Sequence, residues 1–191
     1  VVIRLLNPGD YGLMAMVVVV SSIAGTIAEL GLGTAIVRSA EISNRDLQKI
    51  AGVSLVFGAV VTALVAAASQ LFAAMFDEPR LTWPIAAASL QILIGSVAII
   101  PAALWTRDLS LKSLAKIEMA TGTIGIVATV VLALFGAGVW ALVLGTLLAA
   151  VVRSAALLVT GQRVRPLFSM SGIAEHLKFG LTLVSNRLTY R

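Results

Sequence analysis

Apolar residues along this chain come in long unbroken runs rather than in narrow stripes. A helix needs about 20 apolar residues to cross a bilayer core of about 30 Å. Five runs reach that length, at about 11–37, 47–75, 81–105, 113–135 and 139–160, and a sixth begins near Ile173. The runs are rich in Val, Leu, Ala and Ile and lack the two-residue alternation of a barrel strand. They therefore predict helices, whose backbone groups are satisfied within each segment. The predicted class is all-α, a polytopic transmembrane helix bundle.

The residues between the runs agree with this division. Ser43-Asn44 before Arg45-Asp46 predicts an N-cap for the second run. Asp77-Glu78-Pro79 separates the second run from the third and places acids where a helix dipole favours them. Phe135-Gly136-Ala137-Gly138 predicts a tight turn and hence an antiparallel hairpin of the fourth and fifth helices. Pro101 falls inside the third run and predicts a kink there. Small residues recur four apart, as in Thr121/Gly125 and Ala141/Gly145/Ala149, which lets helix backbones approach closely.

Charge then orients the runs. One set of alternate connections holds Arg38, Arg45, Lys49, Arg107, Lys112, Lys116, Arg153, Arg163, Arg165 and Lys178, against only Arg4 and Arg80 on the other. Ten against two is a strong positive-inside bias. Segments 38–49, 106–116 and 161–172, the last within a basic stretch at 153–178, are expected to be cytoplasmic, and 1–10, 76–80 and 136–138 to face out. Starting outside implies one further helix before Val1, so the sequence is expected to be a fragment of a longer protein. No secretory signal pattern opens it.

Composition reinforces the membrane assignment and narrows the chemistry. The 191 residues are 59% hydrophobic and 12% charged, where a soluble domain carries about 25% charge. Cysteine is absent and histidine occurs once, at His176, so disulfides, thiol chemistry and zinc sites are not expected. The net charge of +5 sits in short loops and reads as a topology signal rather than a nucleic-acid surface. There is no P-loop, no nucleophile elbow and no paired carboxylate at a helical offset within a run. No cofactor, metal site or catalytic residue is predicted, and the chain is not expected to be an enzyme.

What remains are polar groups at membrane depth, where a charge costs about 2.5–3.5 kcal/mol even on the insertion scale and faces a cavity or a partner. Glu29 stands about 18 residues into the first run, roughly 27 Å along it, ahead of Gly31-x-Gly33. The acid and the two glycines are expected to form a gating or coupling irregularity near the cytoplasmic end; the alternative is an interfacial acid beside Arg38 or Lys49. Arg187 lies about 14 residues into the sixth run, roughly 21 Å deep, with Arg191 beyond it. Glu175, Lys178, Thr182, Ser185, Asn186 and Thr189 share one arc of that helix, opposite Leu177, Leu181, Val184 and Leu188, as in a helix lining a lumen. The two arginines fall off that arc, and a surface-lying amphipathic helix is the competing reading. Gln91 and Ser96 are expected either to line a cavity or to bond neighbouring helices. Glu118 is placed at the start of its helix near Lys112 and Lys116, and Trp83, Trp105 and Trp140 read as interfacial anchors.

Leu5-Leu6-Asn7-Pro8-Gly9-Asp10-Tyr11-Gly12, followed by Glu29-Leu30-Gly31-Leu32-Gly33-Thr34-Ala35, resembles the N-terminal part of the polysaccharide-transport flippases. Gly136-x-Gly138-Val139-Trp140-Ala141-Leu142 and Lys178-Phe179-Gly180 are similar to later landmarks of that group. These are the O-antigen and lipopolysaccharide-unit flippases of the multidrug/oligosaccharidyl-lipid/polysaccharide exporter superfamily. The resemblance implies a two-lobe alternating-access transporter of the bacterial inner membrane. Residues 1–172 would then form the N-terminal lobe, and 173–191 would open the C-terminal lobe. It also implies a polyprenyl-diphosphate-linked oligosaccharide as substrate, partners among polysaccharide-assembly proteins, and cavity roles for Arg187, Arg191, Asn186 and Gln91. Two other functions compete with it. A cation-coupled multidrug exporter would favour embedded acids, and Glu29 stands nearly alone. A sugar polymerase or ligase would favour a large outward loop, and the outward loops here span only a few residues.

Overall fold

Among the described residues of this protein, five helices are long and apolar enough to cross a membrane and no strand occurs. The structure is a computed structural model, which describes residues 8–29, 32–38 and 43–161. In chain order the elements are α1 (Pro8–Glu29), α2 (Leu32–Arg38), α3 (Asn44–Ala67), α4 (Ser69–Met75), a 3-10 turn (Pro79–Leu81), α5 (Thr82–Arg107), α6 (Leu111–Leu134) and α7 (Val139–Thr160). The bundle is all-α and polytopic, as its hydrophobic runs predict.

One expectation needs correction. Within the run 11–37 the described helices are α1, to Glu29, and α2, from Leu32. The run 47–75 is two helices, stepped at Ala68 (φ −79°, ψ −2°) between α3 and α4. Pro101 lies within α5 without interrupting it. The expected cap at Ser43 is present, with its hydroxyl accepting from the Arg45 amide at 3.3 Å. The sixth run, with Asn186, Arg187 and Arg191, and the lumen arc around it lie outside the described residues, as does Gly31.

The helices alternate in direction. At one end a Cβ built on Gly138 would lie 3.6 Å from the Asp10 carboxylate, and Tyr11 packs with Ala137 and Leu142. Gly9 and Asp10 share a 200 Å³ cavity with Glu78 and Arg80 at that same end. At the opposite end Leu32, Ile36, Leu47 and Ile50 pack with Ile100 and Leu104, and Gly161 abuts Pro101 and Trp105. The loops that sequence assigned to opposite sides are thus at opposite ends.

Helix α5 is the axis of the bundle. Leu13, Val17, Val20, Ala24 and Ala28 recur every three or four residues on α1 and are buried, several of them in one core with Ile85, Ala88 and Ile92 of α5. The opposite face of α1, with Val18, Val19, Ile23 and Ile27, is exposed and apolar, as lipid contact requires. Polar side chains go inward instead. Ser54 and Thr62 of α3 donate to the carbonyls of Ser96 and Ser89 at 3.0 and 3.2 Å, and Ser154 of α7 donates to that of Ile94 at 2.9 Å. Hydroxyls from both flanking helices therefore grip the α5 backbone, the interhelical bonding that substitutes for a hydrophobic driving force in lipid. Ser54→Ala, at a fully buried site, is expected to lower unfolding free energy in detergent by about 1 kcal/mol; an unchanged denaturation midpoint would count against the bond.

The α6–α7 hairpin is closed by backbone proximity. A Cβ on Gly125 would stand 2.7 Å from the Ala149 Cβ and 3.1 Å from the Gly145 carbonyl oxygen. A Cβ on Gly145 would overlap Thr129 Oγ1 and stand 3.0 Å from the Gly125 carbonyl oxygen. The small-residue spacing is used as close packing, and the turn needs left-handed glycines at Gly136 (φ 77°) and Gly138 (φ 55°). Helices α4, α5 and α6 all end in one motif. The amides of Glu78, Ser110 and Ala137 bond back to the carbonyls of Ala73, Trp105 and Leu132, around left-handed Asp77, Leu109 and Gly136.

Candidate functional site

A cleft of about 590 Å³ lies between α1, α2 and α5, with one side chain of α7 at its rim. Its walls are small and apolar, including Gly25, Ala28, Gly95 and Ala102. The absence of bulk at these positions creates the space. Into this lining project a carboxylate (Glu29), an amide (Gln91), two threonines (Thr34, Thr106) and a guanidinium (Arg153).

Glu29 is the last residue of α1 and is exposed to the cleft. Its Oε1 lies 3.9 Å from where a Cβ on Gly33 would stand. The acid and this glycine, four residues apart, thus stand side by side at the cleft. Glu29 has no ion-pair partner among the described residues.

Gln91 combines both roles expected for it. It lines the cleft, and its amide nitrogen donates to Thr146 Oγ1 of α7 at 2.9 Å. Ser96 lines the cleft, but its hydroxyl donates within α5, to the Leu93 carbonyl at 2.7 Å, and only its backbone carbonyl bonds a neighbouring helix, through Ser54. Beside Gln91 a second space of 280 Å³ continues from the cleft, sharing Gly25, Gln91 and Ile92 with it and adding Ser21 and Thr146.

Arg153 lines the cleft although its charge reads as a topology signal in the sequence. Counted among the loop charges, it in fact lies 14 residues into α7, roughly 21 Å from the helix start. Its place inside the apolar run 139–160 is the signal that points to it. Its Nε and Nη2 both donate to Glu118 Oε1 at 2.7 Å, with the two side chains 33% and 44% exposed. Glu118, expected beside Lys112 and Lys116, thus pairs across the helix interface. It fixes the guanidinium in orientation at the cleft. Along the cleft the charged side chains lie between neutral polar groups, Gln91 on one side and Thr106 on the other. No described group of three or more His, Cys, Asp or Glu gathers to hold a metal ion.

No solved structure matches the chain. Among curated proteins, the lipopolysaccharide biosynthesis protein WzxC of Escherichia coli (strain K12) is 26% identical over 191 residues. That match covers 98% of this chain and 39% of the relative, so the chain spans about two fifths of the length of the curated relative it matches. The family model described as polysaccharide biosynthesis protein matches residues 1–190. With five helices among its described residues long and apolar enough to cross a membrane, this chain is a multi-pass membrane protein that belongs to the polysaccharide biosynthesis protein family.

Proposed function

We propose that the chain is the N-terminal lobe of a two-lobe flippase that moves polyprenyl-diphosphate-linked oligosaccharide units outward across the bacterial inner membrane. Residues 173–191 would begin the second lobe. The observation that carries this reading is the cleft itself. It offers charged groups in its middle, a neutral amide beside them, and an adjoining helix face of exposed Val18, Val19, Ile23 and Ile27. That sequence of environments suits an amphiphile with a charged linkage, a polar sugar and a long apolar tail. The cleft runs on past Glu29 to Thr106, toward the end that holds Arg45, Lys49, Arg107 and Lys112. The positive-inside rule makes it the cytoplasmic side, where such a substrate would be loaded. No bond in the substrate is broken; the lobe binds, shields and releases by alternating access, with Glu29 and Gly33 at the moving joint. Arg187, Arg191 and Asn186 are proposed to complete the cavity from the next helix, a diphosphate favouring cationic partners.

The test uses the full-length protein in cells. Glu29→Gln and Arg187→Ala are each expected to lower surface polysaccharide several-fold at an unchanged amount of protein in the membrane, with finished lipid-linked units accumulating on the cytoplasmic leaflet. Normal polysaccharide in a variant removes the role assigned to that residue. Accumulation on the outer leaflet instead would replace the flippase by a polymerase or ligase.

A further inference from the structure

The helical hydroxyls of this bundle nearly all have an acceptor. Ser22, Thr26, Ser89, Ser96, Thr106, Thr121, Thr123, Thr129, Thr146 and Thr160 each bond a carbonyl three or four residues back, as Ser22 does to Val19 at 3.0 Å. Ser21 does not. Its Oγ is buried and has no hydrogen-bond partner among the described residues. A buried hydroxyl left unmatched at membrane depth is costly, so a ligand that satisfies it is favoured.

Ser21 lines the 280 Å³ space that continues the cleft. The polar atoms available there are of one kind. Gln91 spends one amide hydrogen on Thr146 Oγ1 and keeps a second hydrogen and its carbonyl oxygen, to which no described donor bonds. Ser21 adds a hydroxyl that can donate or accept. No charged side chain lines this space. An anion would want donors only, and a bare cation would want carboxylates or several carbonyls; uncharged groups that both donate and accept match the hydroxyls of a sugar ring. Val17 and Ile92 give an apolar wall for the ring's C–H face, and the volume has room for one ring rather than a chain of them.

Resting on the flippase reading, we propose that Ser21 and Gln91 form a sugar-ring subsite at mid-depth, separate from the charged stretch of the cleft at Glu29 and Arg153. Ser21 is 13 residues into α1 and Gln91 nine into α5, roughly 20 and 14 Å from the helix starts. The ring nearest the diphosphate is thus read by neutral groups while the diphosphate stays beside the charged ones. Selection among carriers is made by what is attached to the lipid, not by the lipid.

The experiment compares two probes on the purified full-length protein in lipid nanodiscs: polyprenyl diphosphate bearing one N-acetylglucosamine, and polyprenyl diphosphate with no sugar. The wild type is expected to bind the sugar-bearing probe about tenfold tighter. Ser21→Ala and Gln91→Leu are each expected to lose most of that preference while leaving affinity for the sugar-free probe unchanged. Retention of the preference in both variants, equal binding of the two probes by the wild type, or equal weakening of both probes would overturn the subsite and leave the flippase standing. A loss of thermal stability with the preference intact would overturn it too, marking Ser21 as a packing or water-holding group. Wild-type protein that binds neither probe would overturn the flippase reading and the subsite together.

Discussion

Replacing Gly145 with valine is expected to break the α6–α7 hairpin, lowering stability in detergent by about 3 kcal/mol. The contact leaves no room for relief. The first added carbon would overlap Thr129 Oγ1 and press on the Gly125 carbonyl oxygen 3.0 Å away. The threonine can rotate only by giving up its 2.9 Å bond to that same carbonyl, and the backbone oxygen cannot move without displacing α6. Gly145→Ala should show a smaller version of the same loss, and adding Thr129→Ala to it should recover part, because the two residues share one contact. Gly122→Ala serves as the control. It lies on the same helix as Gly125 with nothing within 4 Å of an added Cβ, and should change stability by less than about 0.5 kcal/mol. Unfolding followed by Trp140 fluorescence in α7 measures all four, and a Gly145→Val protein as stable as wild type would refute the close approach.

The second large effect is expected at Arg153. In the full-length protein, Arg153→Glu should reduce surface polysaccharide tenfold or more, since removing a charged hydrogen-bonding partner of a substrate costs about 1.5–3 kcal/mol. Folding should survive, because an ion pair as exposed as Glu118–Arg153 contributes about 0–1 kcal/mol. The informative comparison is the reversed pair, Glu118→Arg with Arg153→Glu. If the guanidinium serves the cleft, the exchange restores the helix contact and not transport, because the cation has moved off the rim. Full recovery of polysaccharide by the exchange would make the pair a clasp between α6 and α7 and nothing more.

The long elements were readable because lipid imposes a simple rule on them. The run 139–160 coincides with α7, 113–135 nearly with α6, and Ser43 marks the start of α3 as a short polar cap should. The breaks were harder to read. Ala66-Ala67-Ala68-Ser69 carries no proline, glycine or charge, so the step between α3 and α4 has no local signature. The site was legible only in part. Glu29, Gly33 and Gln91 do converge on one cleft, which long-range packing of α1 and α2 on α5 brings about. Arg153 escaped because a basic residue near a predicted helix end is ordinarily read as topology. The bond from Ser54 to α5 joins residues 42 apart in sequence, a distance over which no local pattern speaks.

The repeated closure of α4, α5 and α6 bears on how the lobe sits in its membrane. A helix end whose carbonyls look to water is pinned at the depth where water begins. Here the turns around Asp77, Leu109 and Gly136 fold their last amides back onto those carbonyls, so these ends are largely self-satisfied and can enter the headgroup zone at little polar cost. What then resists vertical displacement is chiefly hydrophobic mismatch, a fraction of a kcal/mol per Å. A lobe sealed in this way can ride a few ångströms up or down and tilt as it works, and can operate in bilayers of different thickness without redesign of its loops.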